Sequence, residues 1–110
     1  MKKVLLICTL LILACKKVKK ISTNELKYSA EMELIEAEAS CGICMFNMNG
    51  ESCELAVKIN DEKYYVKGAD IDSFGDAHSD VGFCNAIRKV EIQGEFISNK
   101  FLLTYFKLEN

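Results

Sequence analysis

Residues 55–66 read LAVKINDEKYYV, and this stretch decides the fold class. Its first five residues alternate between apolar side chains at odd positions and Ala56 or Lys58 at even positions, which is typical of a half-buried strand. Residues 60–62 carry a turn signal, and residues 64–66 return to β-prone chemistry. The stretch therefore predicts a β-hairpin within a mainly β domain.

Three further stretches show the same two-residue period. Over residues 30–39, apolar residues alternate with glutamates. The phase of this alternation shifts by one residue part-way along, as a β-bulge would produce. A helix is the alternative for this stretch, because Glu, Ala, Met and Leu are good helix formers. Residues 90–97 alternate around Gly94, which marks a bulge or bend, and a turn at 98–100 leads into an apolar strand over 101–108.

The stretch between residues 68 and 85 breaks the alternation with aspartates and glycines. We expect it to form an irregular loop or a short helix between the third and fourth strands. Five strands with such an insertion predict a small five-stranded antiparallel barrel or sandwich, resembling the oligonucleotide/oligosaccharide-binding (OB) barrel. A fold of this kind carries no function by itself.

Residues 1–15 read MKKVLLICTLLILAC and have the layout of a bacterial secretory signal, with a charged start, a short apolar run and a small residue before the cut. Residues 12–15 resemble the lipobox of bacterial lipoproteins. The resemblance implies removal of residues 1–14 and lipidation of Cys15, whose acyl chains would hold the protein on a membrane. An ordinary signal peptide cut elsewhere is the alternative, and the apolar run is shorter than the about 20 residues that span a bilayer.

The charge is divided unevenly along the chain. The full sequence carries a net charge of -2, but residues 15–27 form a basic tether with five lysines and one glutamate. From residue 28 onward, seven basic residues face fifteen acidic ones. An acidic domain argues against nucleic acid as a partner, because that binding relies on Lys and Arg meeting phosphates. The tether suits anionic lipid head groups, or serves as a plain solvated linker.

This organisation predicts where the protein works. Residues 1–14 would be the signal peptide, residues 15–27 the lipidated tether and residues 28–110 a small β domain with a cysteine cluster. Membrane lipid, through acylated Cys15, is the expected partner. We expect an anchor on the cell membrane or the outer membrane, with the domain facing the periplasm of a bacterial envelope.

Four cysteines remain in the domain after the signal and Cys15 are set aside: Cys41, Cys44, Cys53 and Cys84. An even number in a small secreted domain first suggests disulfides, and three connectivities are open. Pairing Cys53 with Cys84 would close a loop of about 32 residues, worth roughly 3.7 kcal/mol in the loop-entropy model. Pairing Cys41 with Cys44 would close only four, worth roughly 2 kcal/mol.

The Cys41-Gly42-Ile43-Cys44 motif has two further interpretations. It can place two thiolates on one metal ion, with Cys53 and Cys84 completing the site, although a second Cys-x-x-Cys is missing. It can also work as a reversible dithiol. The single histidine, His78, lies six residues before Cys84 and is a possible further ligand. Such a soft ligand set would suit Zn or Cu(I).

The bland interpretations of the remaining polar residues are the default. A lone histidine is more often a surface or structural residue than a ligand. The aspartates between residues 70 and 80 miss the order of a calcium loop. The only nucleophilic arrangement that the sequence suggests is a Cys84–His78 couple. This is weak support for catalysis, so we do not predict an enzyme.

Five short motifs, each present once, are spread along the domain: Cys41-Gly42-x-Cys44-x-Phe46, Cys53-x-Leu55-Ala56-Val57, Gly75-Asp76-Ala77-His78, Gly82-Phe83-Cys84-Asn85-Ala86-Ile87-Arg88-Lys89 and Gly94-Glu95. With these motifs the stretch from Cys41 to Leu108 resembles a family of small bacterial secreted or lipid-anchored proteins of unknown function. The resemblance adds no mechanism. It implies that the four cysteines and His78 belong to one pattern.

Two functions are consistent with the sequence. The first is a membrane-anchored envelope lipoprotein whose Cys/His cluster binds a soft metal or cycles between thiol and disulfide. The alternative is a disulfide-stabilised structural or interaction module without metal. The sequence names no protein partner for either.

Overall fold

A computed structural model describes residues 26–109. The predicted signal peptide, Cys15 and nearly all of the predicted tether lie outside these residues. Within 26–109 the chain forms five strands and one short helix: β1 (Ile35–Cys41), α1 (Gly42–Met45), β2 (Leu55–Ile59), β3 (Glu62–Lys67), β4 (Arg88–Ile97) and β5 (Lys100–Leu108). In the same part of the chain, no helix is long and apolar enough to cross a membrane.

The strands close into a barrel in the order β1-β2-β3-β5-β4. This confirms the predicted mainly β fold and the five-stranded barrel. The sheet is mixed rather than antiparallel, because β3 and β5 pair in parallel while the four other seams are antiparallel. An odd number of strands in a closed ring cannot alternate direction all the way round, so one seam must be parallel.

The predicted hairpin is confirmed. A two-residue turn joins β2 to β3, and both of its residues have positive φ, 52° at Asn60 and 74° at Asp61. Positive φ at both positions defines the type I′ turn, whose twist matches the strands on either side. Asn and Asp tolerate this conformation better than most residues, which is why the local sequence signal was reliable.

The predicted bulge at Gly94 is confirmed as well. The pairing of β4 with β5 shifts register between Gln93 and Gly94. A Cβ atom at Gly94 would collide with the carbonyl oxygen of Leu102 and with the ring of Phe101. The missing side chain therefore lets β5 pass close to β4 at this corner of the barrel.

The first strand begins later than predicted. Residues 30–34 are turn and coil, and β1 starts at Ile35. The fully buried amide of Gln93 holds the preceding segment, since its Oε1 accepts from the Ser29 N–H at 2.8 Å and its Nε2 donates to the carbonyls of Ser29 and Met32 at 2.7 and 3.1 Å. The change of phase at Ile35 therefore marks the beginning of the strand rather than a bulge.

The connection from β3 to β4 is irregular, as predicted, but it holds turns and no helix; the short helix follows β1 instead. Side chains in this connection bind nearby backbone amides. The Asp70 N–H donates to Ser73 Oγ at 2.8 Å, and the Ala77 N–H donates to Asp72 Oδ1 at 3.0 Å. Such local acceptors compete with helical hydrogen bonds and favour turns.

The core fills the barrel interior. Val57, Val90, Ile92 and Phe101 are fully buried there. Phe83, from the β3–β4 connection, joins the same cluster and meets the ring of Phe106 edge to face, with centroids 6.1 Å apart. Because Phe83 is held in the core, the next residue, Cys84, is fixed beside the barrel.

Candidate metal centre

The four cysteines of the domain converge at one end of the barrel. The Sγ atoms of Cys41, Cys44, Cys53 and Cys84 all lie within 4.8 Å of one another. They come from three separate parts of the chain: the β1–α1 junction, the loop before β2 and the connection before β4. Barrel closure brings together thiols that are up to 43 positions apart.

The first two sulfurs lie on one side of a single helical turn. Cys41 is the last residue of β1 and caps α1, and Cys44 is inside α1. Residues three apart on a helix face the same side, so the Cys-x-x-Cys spacing directs both thiols to one point. Cys41 is fully buried, whereas Cys44 is exposed.

The third sulfur comes from the loop that follows α1. Cys53 lies two residues before β2 and is half-buried. The Gly42 N–H donates to the Glu54 carbonyl at 2.9 Å, which ties the end of this loop to the start of α1. Lys63 Nζ donates to the Phe46 carbonyl at 2.8 Å and holds the beginning of the loop against β3.

The fourth sulfur is positioned by the buried hydroxyl of Ser40. Ser40 Oγ lies 2.7 Å from the carbonyl oxygens of both Phe83 and Ala86, and its single proton is shared between them. The Cys41 N–H also donates to the Phe83 carbonyl at 2.9 Å. These bonds fasten the turn that carries Cys84 to the end of β1.

The distances between the sulfurs suit a tetrathiolate. A tetrahedral zinc site with Zn–S bonds of about 2.3 Å places its sulfurs about 3.8 Å apart. The four thiols, at 4.8 Å or less, need only small movements to reach that geometry. The Sγ atoms of Cys53 and Cys84 lie 2.9 Å apart.

The thiols differ in acidity. Burial opposes ionisation of Cys41, but hydrogen bonds from Cys53 and Cys44 outweigh it and lower its pKa. Burial raises the pKa of Cys53, and its hydrogen bonds with Cys41 and Cys84 raise it further. The hydrogen bond with Cys41, followed by desolvation, raises the pKa of Cys44. Of these three thiols, Cys41 is the one whose pKa is lowered.

His78 does not join the four sulfurs. Its side chain is exposed, and the group of possible metal ligands that contains the cysteines includes no histidine among residues 26–109. Its backbone is used in the local turn: the N–H donates to Asp76 Oδ1 at 3.0 Å, and the carbonyl accepts from Asn85 Nδ2 at 3.1 Å. The structure thus offers no support for a Cys84–His78 couple.

A second group of possible ligands lies on the outer wall of the barrel, where carboxylate oxygens of Glu36, Glu91 and Glu109 come within 4.8 Å of one another. Glu36 and Glu91 are cross-strand partners of β1 and β4. Sequence reasoning did not find this group, because only the register of the two strands brings its members together. Ser40 was missed because its partners, the carbonyls of Phe83 and Ala86, lie 43 and 46 residues away in the β3–β4 connection, although a serine beside a Cys-x-x-Cys motif is a visible signal.

Comparison with known proteins adds one finding. The sequence model of a family of unknown function, DUF6370, matches residues 35–109, from the first residue of β1 to the residue after β5. The chain belongs to the DUF6370 family. No curated protein and no solved structure matches the chain. The DUF6370 region contains all four clustered cysteines, so the predicted resemblance to an uncharacterised domain family is confirmed. The lipoprotein signal stays a prediction.

Proposed function

We propose that this protein is a lipid-anchored envelope protein that binds a soft metal ion, Zn²⁺ or Cu(I), through Cys41, Cys44, Cys53 and Cys84. The observation that carries the proposal is the convergence of four sulfurs within 4.8 Å of one another. Thiolates are the ligands that these metals prefer. The envelope location rests on the lipobox-like residues 12–15 and on the basic tether that follows them.

The convergence of the four thiols favours a metal site over two separate disulfide bonds. Two disulfides require only that each cysteine meet one partner, and the two pairs can lie anywhere in the domain. Here all four thiols point to one place, and their three segments are tied together by the backbone bonds of Gly42 to Glu54 and of Cys41 to Phe83, both 2.9 Å long. A bound ion would replace the thiol protons and link these segments.

A disulfide-stabilised module is the second candidate, and one distance favours it. The Sγ atoms of Cys53 and Cys84 lie 2.9 Å apart. A disulfide bond is about 2.05 Å long, so this pair needs little movement to join. In this alternative the Cys53–Cys84 bond would hold the β3–β4 connection to the loop before β2.

Metal content and thiol count separate the two candidates. The full chain is produced in a bacterial host, purified from the fraction that holds it, and analysed by native mass spectrometry and elemental analysis. We expect one metal ion per chain and four free domain thiols after denaturation. Two domain disulfides with no metal would instead support the stapled module.

A matched pair of variants tests the ligand set. Cys84→Ser removes a sulfur from the cluster and should abolish stoichiometric binding. His78→Ala removes a side chain of the same β3–β4 connection that lies outside the cluster, and it should leave the metal content unchanged. Equal loss of metal in both variants would contradict the proposed ligand set.

A further inference from the structure

The ring of Tyr65 in β3 fills the space between two chain segments that carry cluster cysteines. A Cβ atom at Gly42, directly after Cys41, would lie 2.5 Å from Tyr65 Cε1. A Cβ atom at Gly50, three residues before Cys53, would lie 2.6 Å from Tyr65 Oη. Both backbones approach the ring so closely because neither residue has a side chain.

The Tyr65 hydroxyl reinforces this packing. It donates to the Asn49 carbonyl at 2.8 Å, so the loop beside Gly50 is bonded to β3 as well as packed against it. Lys63, two residues earlier in the same strand, holds the start of that loop through the Phe46 carbonyl. Side chains two apart in a strand lie on the same face, so Lys63 and Tyr65 bind the two ends of the loop from one face of β3.

Burial differs between the two sides of the cluster. Cys41 is fully buried and Cys53 is half-buried, while Cys44 is exposed. Tyr65 is itself half-buried and packs against Gly42 and Gly50, in the two segments that carry Cys41 and Cys53. Cys84 is half-buried like Cys53, so Cys44 is the one exposed member of the cluster, and the ring of Tyr65 lies on the side of the Cys41 and Cys53 segments.

We propose that Tyr65 is a positioning residue that closes the inner side of the cysteine cluster, so that metal ions and small thiol-reactive molecules enter and leave past Cys44. This inference rests on the proposed metal-binding function for its metal-exchange part. The shielding of Cys53 is inferred from the packing of Tyr65 on Gly50, three residues before Cys53, and can be measured without metal.

Release of zinc from the loaded full chain to a chromogenic chelator, 4-(2-pyridylazo)resorcinol, gives the first test. Removing a group that supports metal ligands typically weakens the site about 10- to 100-fold, so we expect Tyr65→Ala to release zinc at least about tenfold faster. Tyr65→Phe keeps the ring and loses the bond to Asn49, so its rate should fall between those of Tyr65→Ala and the unaltered protein.

Tyr64→Ala is the matched control. Tyr64 is the neighbouring residue of β3, faces the opposite side, and packs edge to face on Phe96 with centroids 4.9 Å apart. We expect it to lower the melting temperature while leaving the zinc release rate unchanged. Equal release rates in Tyr65→Ala and the unaltered protein, or equal acceleration in Tyr64→Ala, would overturn the proposal.

Alkylation of the metal-free chain with iodoacetamide gives the second test, with peptide mapping of each cysteine. Tyr65→Ala should be alkylated faster at Cys53 and unchanged at exposed Cys44. If Tyr65→Ala does not fold, the same measurement on Gly50→Ala decides, because the added Cβ would displace the ring. An unchanged Cys53 rate contradicts the shielding even when zinc binds normally, whereas a chain that binds no metal but shows the faster Cys53 rate contradicts only the proposed function.

Discussion

The barrel and the cysteine end of this domain are held together in different ways. The barrel has five strands in a closed ladder and a contiguous apolar core that includes Val57, Ile92 and Phe101. The cysteine end consists of one helical turn and two loops, joined by single hydrogen bonds such as those of Ser40. From this difference we expect the barrel to persist without metal and, if the proposed function holds, order at the cysteine end to depend on what the thiols bind.

Metal removal should produce the largest difference between the barrel and the cysteine end. Structural zinc supplies about 10–16 kcal/mol in zinc-finger peptides, and here that free energy would act on the segments around the four cysteines. We expect a chelator to leave the β circular dichroism signal in place. Hydrogen exchange should accelerate sharply at residues 42–54 and 82–86. Uniform acceleration across β4 and β5 would show instead that the two regions form one unit.

A large-to-small change in the core should have the next largest effect. It should act on the stability of the barrel rather than on the cysteine end. Ile92→Ala removes most of a fully buried side chain, and such changes cost about 2–5 kcal/mol in free energy of unfolding. The measurement is chemical denaturation of the metal-loaded protein. Val81→Ala is the control, because Val81 is 60% exposed and should change stability little. A small loss for Ile92→Ala would mean that metal ligation, rather than the core, dominates stability.

The hydroxyl of Ser40 should give the smallest of the three effects. Ser40→Ala leaves the part-buried Ala86 carbonyl without the bond from Oγ, which costs about 1 kcal/mol, and it loosens the turn that carries Cys84. Metal affinity, measured by competition with a chelator, should fall about tenfold. Ser29→Ala serves as the control, since the Ser29 hydroxyl bonds only an exposed amide, that of Glu31. Unchanged affinity in Ser40→Ala would remove Ser40 from the support of the site.

Local features of the fold could be predicted from the sequence, and non-local ones could not. The turn at Asn60 and Asp61 depends on backbone conformations that those residues favour in isolation, and a glycine inside an alternating stretch marked the bulge at Gly94. The parallel seam between β3 and β5 follows only from closing five strands into a ring. The alternation over residues 30–34 misled because the buried amide of Gln93, far along the chain, holds that segment out of the sheet.

The candidate site divides in the same way. The Cys-x-x-Cys spacing predicted that Cys41 and Cys44 could act as a pair, and the structure places them at one helical turn. Adding Cys53 and Cys84 was an open alternative, since their approach depends on Phe83 in the core and on the bonds of Ser40. Closeness in sequence suggested His78 beside Cys84, but the intervening turn leaves the imidazole exposed and apart from the sulfurs.

X-ray absorption at the metal edge of the purified full chain tests the central claim most directly, because it counts the ligand atoms and measures their distances. For zinc, we expect four sulfur neighbours at about 2.3 Å and no nitrogen or oxygen in the first coordination sphere. Fewer than three sulfur neighbours, or a protein without metal whose thiols are all paired, would contradict the account.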